Sequence, residues 1–194
     1  SKEWIERNFV EANRDQVENT GYVTANAFSH QLFQKGDQLT YPSINRTVFE
    51  GNAFLESLVN DDVIDGEDFS HVEPMWGSSD IDDGFQPTQH ADVVTDHAIE
   101  LHRQGEAGRM VVHYIQPHAP YFSSTTEYDE LQEFEQFPFR SVKQGMEREK
   151  VWDAYIDNLR YVLDEVEVLL ENIDGKAVIT ADHGELFGET GLYA

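Results

Sequence analysis

The sequence predicts an α/β fold, with the strands of a central sheet flanked by helices. Short apolar segments rich in β-branched residues alternate along the chain with longer segments of helical periodicity, which is the order found in α/β proteins. The hydrophobic content of 39% is that of a globular protein, and 194 residues are enough for a domain with its own core. We therefore expect a single domain over residues 1–194.

Four segments have the features of helices. In residues 147–173, apolar residues recur at every third or fourth position, from Val151 to Ile173. Residues 88–104 begin with Thr88, which is favoured at helix N-termini, and are followed by a glycine that suits a helix end. Residues 2–18 and 45–59 are predicted as two further helices.

Three short segments are predicted as strands. Residues 22–25 and 110–115 are rich in residues that favour strands, and two prolines follow the second segment. The apolar run over 177–180 (Ala-Val-Ile-Thr) predicts a strand that is buried on both faces, as in the middle of a parallel sheet. Residues 61–86, which are rich in Asp, Gly and Ser, are predicted as a surface loop.

The acidic residues outnumber the basic ones by 38 to 13, which gives a net charge of −25, and they are spread along the chain. Such a surface repels itself in dilute buffer and is screened in concentrated salt, where the Debye length falls to about 3 Å. The charge predicts adaptation to molar salt, with a merely acidic protein as the alternative. The same charge argues against nucleic-acid binding, because phosphate contacts need clustered Lys and Arg.

The chain contains no Cys, which excludes disulfides, zinc–thiolate sites and a thiol nucleophile. No apolar run approaches the roughly 20 residues that span a bilayer. We expect no membrane segment in this chain and a cytoplasmic location, with an extracellular or membrane-attached parent protein as the alternative. The composition gives no indication of an oligomeric state.

Two segments carry residues suited to chemistry, and each follows a predicted strand, where the sites of open α/β sheets form. In the later segment, Asp182 and His183 precede Gly184, which permits a sharp change of chain direction. A carboxylate and an imidazole together suit a divalent metal ion, although two ligands do not complete a site. The alternative is an Asp–His pair that caps a helix beginning near Gly184.

The earlier segment contains two histidines. His113 lies within the predicted strand, and His118 follows it between Pro117 and Pro120, which restrict the loop. An imidazole on a rigid loop can bind a sulfuryl or phosphoryl oxygen, or protonate a leaving group. His113 has the alternative of being a hydrogen-bonded residue of the core.

Three motifs of this chain occur in the same order in one known family. Pro117-His118-Ala119-Pro120-Tyr121 is similar to a Pro-x-His-x-Pro-Tyr/Phe element, and Thr180-Ala181-Asp182-His183-Gly184 is similar to a Ser/Thr-x-Asp-His/Asn-Gly element. Gly21-Tyr22-Val23-Thr24-Ala25 resembles an Ala-Gly-Tyr-x-Thr strand. The chain therefore resembles the sulfatase family of the alkaline phosphatase superfamily, and with its acidic composition it looks most like the sulfatase-like proteins of haloarchaea.

The resemblance implies an alkaline-phosphatase-like central sheet flanked by helices, incomplete in this chain. It implies that Asp182 and His183 bind a divalent metal ion (Ca, Mg or Mn). His118 would contact the transferred sulfate or phosphate, and His113 would support the site or lie on its substrate side. Glu185 would support the loop rather than bind the metal. The substrate would be a small-molecule or glycan sulfate or phosphate ester.

The chain also departs from the family pattern. It has no Cys/Ser-x-Pro-x-Arg element, in which the family's nucleophile lies, and Asn26-Ala27-Phe28-Ser29-His30 replaces the usual Gly-Lys-x-His. We interpret the chain as the middle-to-C-terminal part of a sulfatase-like catalytic domain, truncated at both ends, with weak or no metal binding and no activity by itself. A phosphotransferase of the same superfamily and a non-catalytic binding or structural module are the alternatives.

Overall fold

The architecture is α/β, as predicted. The computed structural model describes residues 7–26, 66–75, 89–123, 126 and 130–193. The chain divides into two compact units, one formed by Ser1–Gln89 with His97–His113 and the other by His90–Asp96 with Tyr114–Ala194. The helix predicted over 45–59 lies outside the described residues. Among the described helices, none combines the length and the apolar character needed to cross a membrane.

The first unit is built on a three-stranded parallel sheet. Strand β1 (Thr20–Thr24) lies in the centre, between β2 (His71–Pro74) and β3 (Arg109–His113). All five residues of β1 are buried, as expected for a central strand. Strands β1 and β3 confirm two predicted strands to within two residues. The prediction of a loop over 61–86 was wrong at β2, because a four-residue strand that ends in proline carries little sequence signal of its own.

The chain before β1 is not one continuous helix. Among its described residues, Arg7 and Asn8 are helical, and a 3₁₀ turn (Glu11–Asn13) and the short helix α1 (Arg14–Val17) follow them. The helix predicted over 2–18 is therefore interrupted. The Asn13 side chain donates to the Asn8 carbonyl at 2.9 Å, a local bond that competes with helical pairing. Phe9 and Val17 are nevertheless buried. The cluster they join consists of Phe9, Val17, Tyr22 and Phe69.

Helix α2 (Ala91–Gln104) confirms the helix predicted over 88–104. It ends at Gly105, whose φ of 70° lies in the left-handed region that glycine adopts readily. A second glycine allows α2 to approach the sheet, since a Cβ atom at Gly21 of β1 would lie 2.7 Å from Cδ2 of Leu101. The helix therefore packs closely over the central strand at this point.

The second unit contains three further α-helices among its described residues. Helices α3 (Glu133–Gln136) and α4 (Pro138–Lys143) precede α5 (Arg148–Asn172). The 25 residues of α5 confirm the helix predicted over 147–173 and extend for about 37 Å. The inner face of α5 joins two apolar clusters, in which its buried members are Val151, Tyr161 and Val162.

The segment after α5 contradicts one prediction. Residues 177–180 form no strand, and the side chains of Val178 and Ile179 are 88% and 62% exposed. A strand needs a neighbour that pairs with its backbone, and among the described residues the sheet consists of β1, β2 and β3 alone. The expected buried strand over 177–180 is therefore wrong, although its composition suits one.

Candidate functional site

Helix α5 holds the loop that carries His118. Asn158 of α5 is fully buried, and its Nδ2 donates to the His118 carbonyl at 3.3 Å. Its Oδ1 accepts a hydrogen bond from the Phe122 N–H at 3.2 Å. The His118 N–H itself donates to the Ile115 carbonyl at 3.0 Å. The backbone of the loop is thus fixed on both sides of the His118 side chain.

A buried carboxylate lies at the centre of the site. The Glu185 side chain is 4% exposed, and its Oε1 lies 2.7 Å from Nδ1 of His118. Its Oε2 accepts a hydrogen bond from the Tyr121 hydroxyl, also at 2.7 Å. Because an ionised carboxylate can only accept, Nδ1 of His118 carries the hydrogen of this bond. The His118 side chain is 54% exposed, so its other nitrogen, Nε2, is the one left for a ligand.

Aromatic rings pack together beside this carboxylate. The ring of Tyr155 lies 5.9 Å from that of Tyr121 and 5.5 Å from that of Phe187, centroid to centroid. Burial, and secondly the negative charge of Glu185, raise the pKa of Tyr121 and of Tyr155 above the ordinary value. Tyr121 therefore remains a protonated donor to Glu185. Burial of the carboxylate strengthens its hydrogen bond with Tyr121.

Asp182 and His183 lie side by side on the exposed segment before Glu185. Oδ2 of Asp182 is 3.6 Å from Nε2 of His183, and the two side chains are 46% and 65% exposed. Nδ1 of His183 is 2.9 Å from the Gly184 carbonyl and donates to it, which leaves Nε2 as the possible ligand atom. Although desolvation opposes the effect, the adjacent His183 is the largest of several groups that together lower the pKa of Asp182.

The alternative role of this pair as a helix cap is not observed. In the described residues after α5, the helical turn nearest to Gly184 is the 3₁₀ turn Glu189–Gly191. The pair instead presents a carboxylate and an imidazole, a donor set that fits a divalent ion in chemical type. Within the described part of the chain, no group of three or more His, Asp or Glu side chains is arranged to hold a metal. Asp182 and His183 thus supply two of the ligands that a metal site requires.

His113 belongs to the first unit and lies at the end of β3. Its Nδ1 is 3.1 Å from the hydroxyl of Tyr22 on the neighbouring strand β1, and the two rings meet edge to face. His113 therefore has a hydrogen-bond partner within the sheet. The other three residues predicted for the site, His118, Asp182 and His183, lie together in the second unit.

Sequence reasoning did not find the partners of Glu185 or the role of Asn158. Asn158 lies seven residues after Val151 and four before Val162, on the buried face of α5. A polar residue at such a position needs hydrogen-bond partners, and this was the signal available in the sequence. For Glu185 the sequence shows a position near the metal motif, but not which loop its carboxylate meets.

No protein-family model, curated protein or solved structure matches this chain. Its function must therefore be inferred from the residues and the geometry of the site.

Proposed function

We propose that this chain carries part of the active site of a metal-dependent hydrolase that acts on sulfate esters, or on the chemically similar phosphate esters. One observation carries the proposal. The bond between His118 and Glu185 joins the loop of one motif to the segment that holds Asp182 and His183. Two motifs that are 64 residues apart in the sequence, counted from His118 to Asp182, therefore meet in one unit.

His118 has the properties of a group that acts on a transferred sulfuryl or phosphoryl group. Its backbone is fixed by Asn158, and its Nδ1 is occupied by Glu185. Its half-exposed ring leaves Nε2 for a ligand, and when the ring is protonated the Nε2–H can donate to an anionic oxygen. When protonated, Nε2 can also give its proton to the leaving oxygen, so that an N–H bond breaks as an O–H bond forms.

Asp182 and His183 are the residues that would hold the metal ion. The carboxylate of Asp182 and Nε2 of His183 are 3.6 Å apart and exposed, so both can approach one ion with little rearrangement. A divalent ion bound here would supply Lewis-acid stabilisation of the charge that develops on the ester oxygens. We assign no nucleophile to a residue of this chain.

Metal binding can be tested by NMR on the chain labelled with ¹⁵N-histidine. We expect MnCl₂ to broaden the His183 resonances first, and this selectivity should disappear in Asp182→Asn. Asp164→Asn, which removes an exposed charge from α5, is the matched control and should behave as the unaltered chain. About 1 M KCl should be present, because it screens diffuse binding to the acidic surface. Broadening that is insensitive to Asp182→Asn would refute the metal assignment.

Anion binding is tested on the same sample. Sodium sulfate or sodium phosphate, added at constant ionic strength, should shift the His118 resonances more than those of His71, a histidine of the first unit. An equal or absent response of His118 would contradict the proposed role and would favour a non-catalytic module. We expect no turnover of an aryl sulfate or an aryl phosphate by this chain, and turnover that is lost in His118→Ala would show that the site is complete.

A further inference from the structure

The Glu185 side chain is buried, whereas the residues before it are exposed to solvent. Residues 174–184 are all exposed, whereas the Glu185 side chain, one position later, is 4% exposed. Phe187, two positions after Glu185, is 1% exposed and packs against the rings of Phe139 and Tyr155. The burial of Phe187 therefore draws the chain inward and carries the carboxylate with it. A carboxylate removed from water is costly unless other groups compensate for its lost hydration.

Both oxygens of this carboxylate are used, each by a different partner. Oε2 is held by the hydroxyl of Tyr121, and Oε1 is thereby directed at Nδ1 of His118. Tyr121 lies in the same loop as His118, and Asn158 fixes that loop through the His118 carbonyl and the Phe122 N–H. The orientation of the carboxylate is thus set before it meets the imidazole.

We propose that Glu185 is the positioning residue of the site, which fixes the tautomer and the ring orientation of His118. This inference rests on the proposed function, in which Nε2 of His118 meets the ester. A neutral imidazole has one N–H and one lone pair, and a carboxylate at Nδ1 stabilises the form with the hydrogen on Nδ1. The lone pair is then held at Nε2, the nitrogen that can receive a proton or bind a ligand. Without Glu185 the ring could rotate, and either nitrogen could carry the hydrogen.

A purely structural role is the competing explanation, since Glu185 also bonds to Tyr121. The two explanations differ in their effect on His118. If Glu185 only anchored its own segment, replacing the carboxylate would alter stability and leave the tautomer of His118 unchanged. If Glu185 positions His118, the tautomer must change even when the fold is intact.

The test measures the His118 tautomer by long-range ¹H–¹⁵N correlation in the ¹⁵N-histidine chain, under alkaline conditions in which imidazole is neutral. We expect the form with the hydrogen on Nδ1 to dominate. In Glu185→Gln, the ratio of this form to the other should fall by about tenfold, because a charge-assisted hydrogen bond becomes a neutral one and the amide can donate as well as accept. Glu167→Gln is the matched control, because it makes the same substitution at an exposed position of α5 and should leave the tautomer as it is.

An unchanged tautomer in folded Glu185→Gln would overturn the inference, as would a predominant hydrogen on Nε2 in the unaltered chain. The tautomer of the unaltered chain is measured without any variant, so the inference remains testable if Glu185→Gln does not fold. The readout uses neither a metal nor an ester and is therefore independent of the proposed function. If the tautomer changes in Glu185→Gln but sulfate and phosphate do not shift the His118 resonances, the proposed function alone is refuted. If these anions shift the His118 resonances but the tautomer is unchanged in Glu185→Gln, only the role of Glu185 is refuted.

Discussion

Replacing Asn158 by alanine tests how the site is held together. Asn158 is fully buried on α5 and bonds through both atoms of its amide, to the His118 carbonyl and to the Phe122 N–H. The alanine variant removes both bonds and leaves the helix intact, since alanine has the highest helix propensity. The change therefore isolates the contact between α5 and the loop.

The expected cost follows from the burial of the two partners. Phe122 is 1% exposed, so its N–H cannot turn to water, and an unsatisfied buried donor costs about 1–3 kcal/mol. The bond to the carbonyl of the exposed residue His118 contributes about 0.5–1.5 kcal/mol, because water can replace it in part. We expect Asn158→Ala to lower the free energy of unfolding by about 3 kcal/mol.

Urea unfolding followed by far-ultraviolet circular dichroism measures this change. Asn172→Ala is the matched control, because Asn172 is an exposed asparagine at the end of the same helix, and its Nδ2 donates to the Val168 carbonyl one turn earlier. It should change the free energy of unfolding by no more than about 0.5 kcal/mol. A loss below about 1 kcal/mol in Asn158→Ala would refute the reasoning, since water would then be satisfying the Phe122 N–H.

Four further predictions concern the fold. Raising KCl from about 0.1 M to about 3 M should increase the thermal midpoint by several degrees as the screening length falls, and an unchanged midpoint would contradict the salt adaptation. Gly21→Ala should destabilise the chain by about 1–3 kcal/mol in urea, since its methyl group would lie 2.7 Å from a Leu101 side-chain carbon; full stability would show that the Leu101 side chain or α2 moves aside without cost. Val178→Ser should alter stability by no more than about 0.5 kcal/mol, because the side chain is 88% exposed, whereas a loss of about 2 kcal/mol would indicate a buried strand. Desolvation, and then nearby aspartates, raise the pKa of Glu165, so the chain loses stability as pH rises from the ordinary pKa of a glutamate through the raised one. Glu165→Gln should therefore be more stable than Glu167→Gln at neutral pH, by less than about 1 kcal/mol.

The two long helices could be predicted because their signals are local. In α5, a helix of 25 residues, apolar residues recur at helical spacing from Val151 to Leu169, and α2 is followed by Gly105, a residue type that suits a helix end. The structure of residues 177–180 could not be predicted in the same way. Whether an apolar segment forms a buried strand depends on a neighbouring strand that pairs with it, and not on its composition. Strand β2 was missed for the converse reason, since it is a strand by its pairing with β1 and not by its sequence.

The site was predictable in its residue types but not in its connections. The proline-flanked position of His118 and the adjacency of Asp182 and His183 are visible in the sequence. The contact of Glu185 with His118 joins residues 67 positions apart, and it depends on how deeply Phe187 is buried. Such a contact follows from packing, which no local pattern encodes.

The exposed pair Val178 and Ile179 has a consequence for the colloidal behaviour of the protein. An extended, β-branched and apolar stretch is the kind of surface through which copies of a chain aggregate. Exposed charges flank this stretch and oppose such pairing, namely Asp174 and Lys176 before it and Asp182 after it. The net charge of −25 also keeps copies of the chain apart in dilute buffer. Concentrated salt removes that repulsion between molecules as well as within each one. Salt that screens the repulsion within each molecule therefore also leaves this surface less protected from self-association.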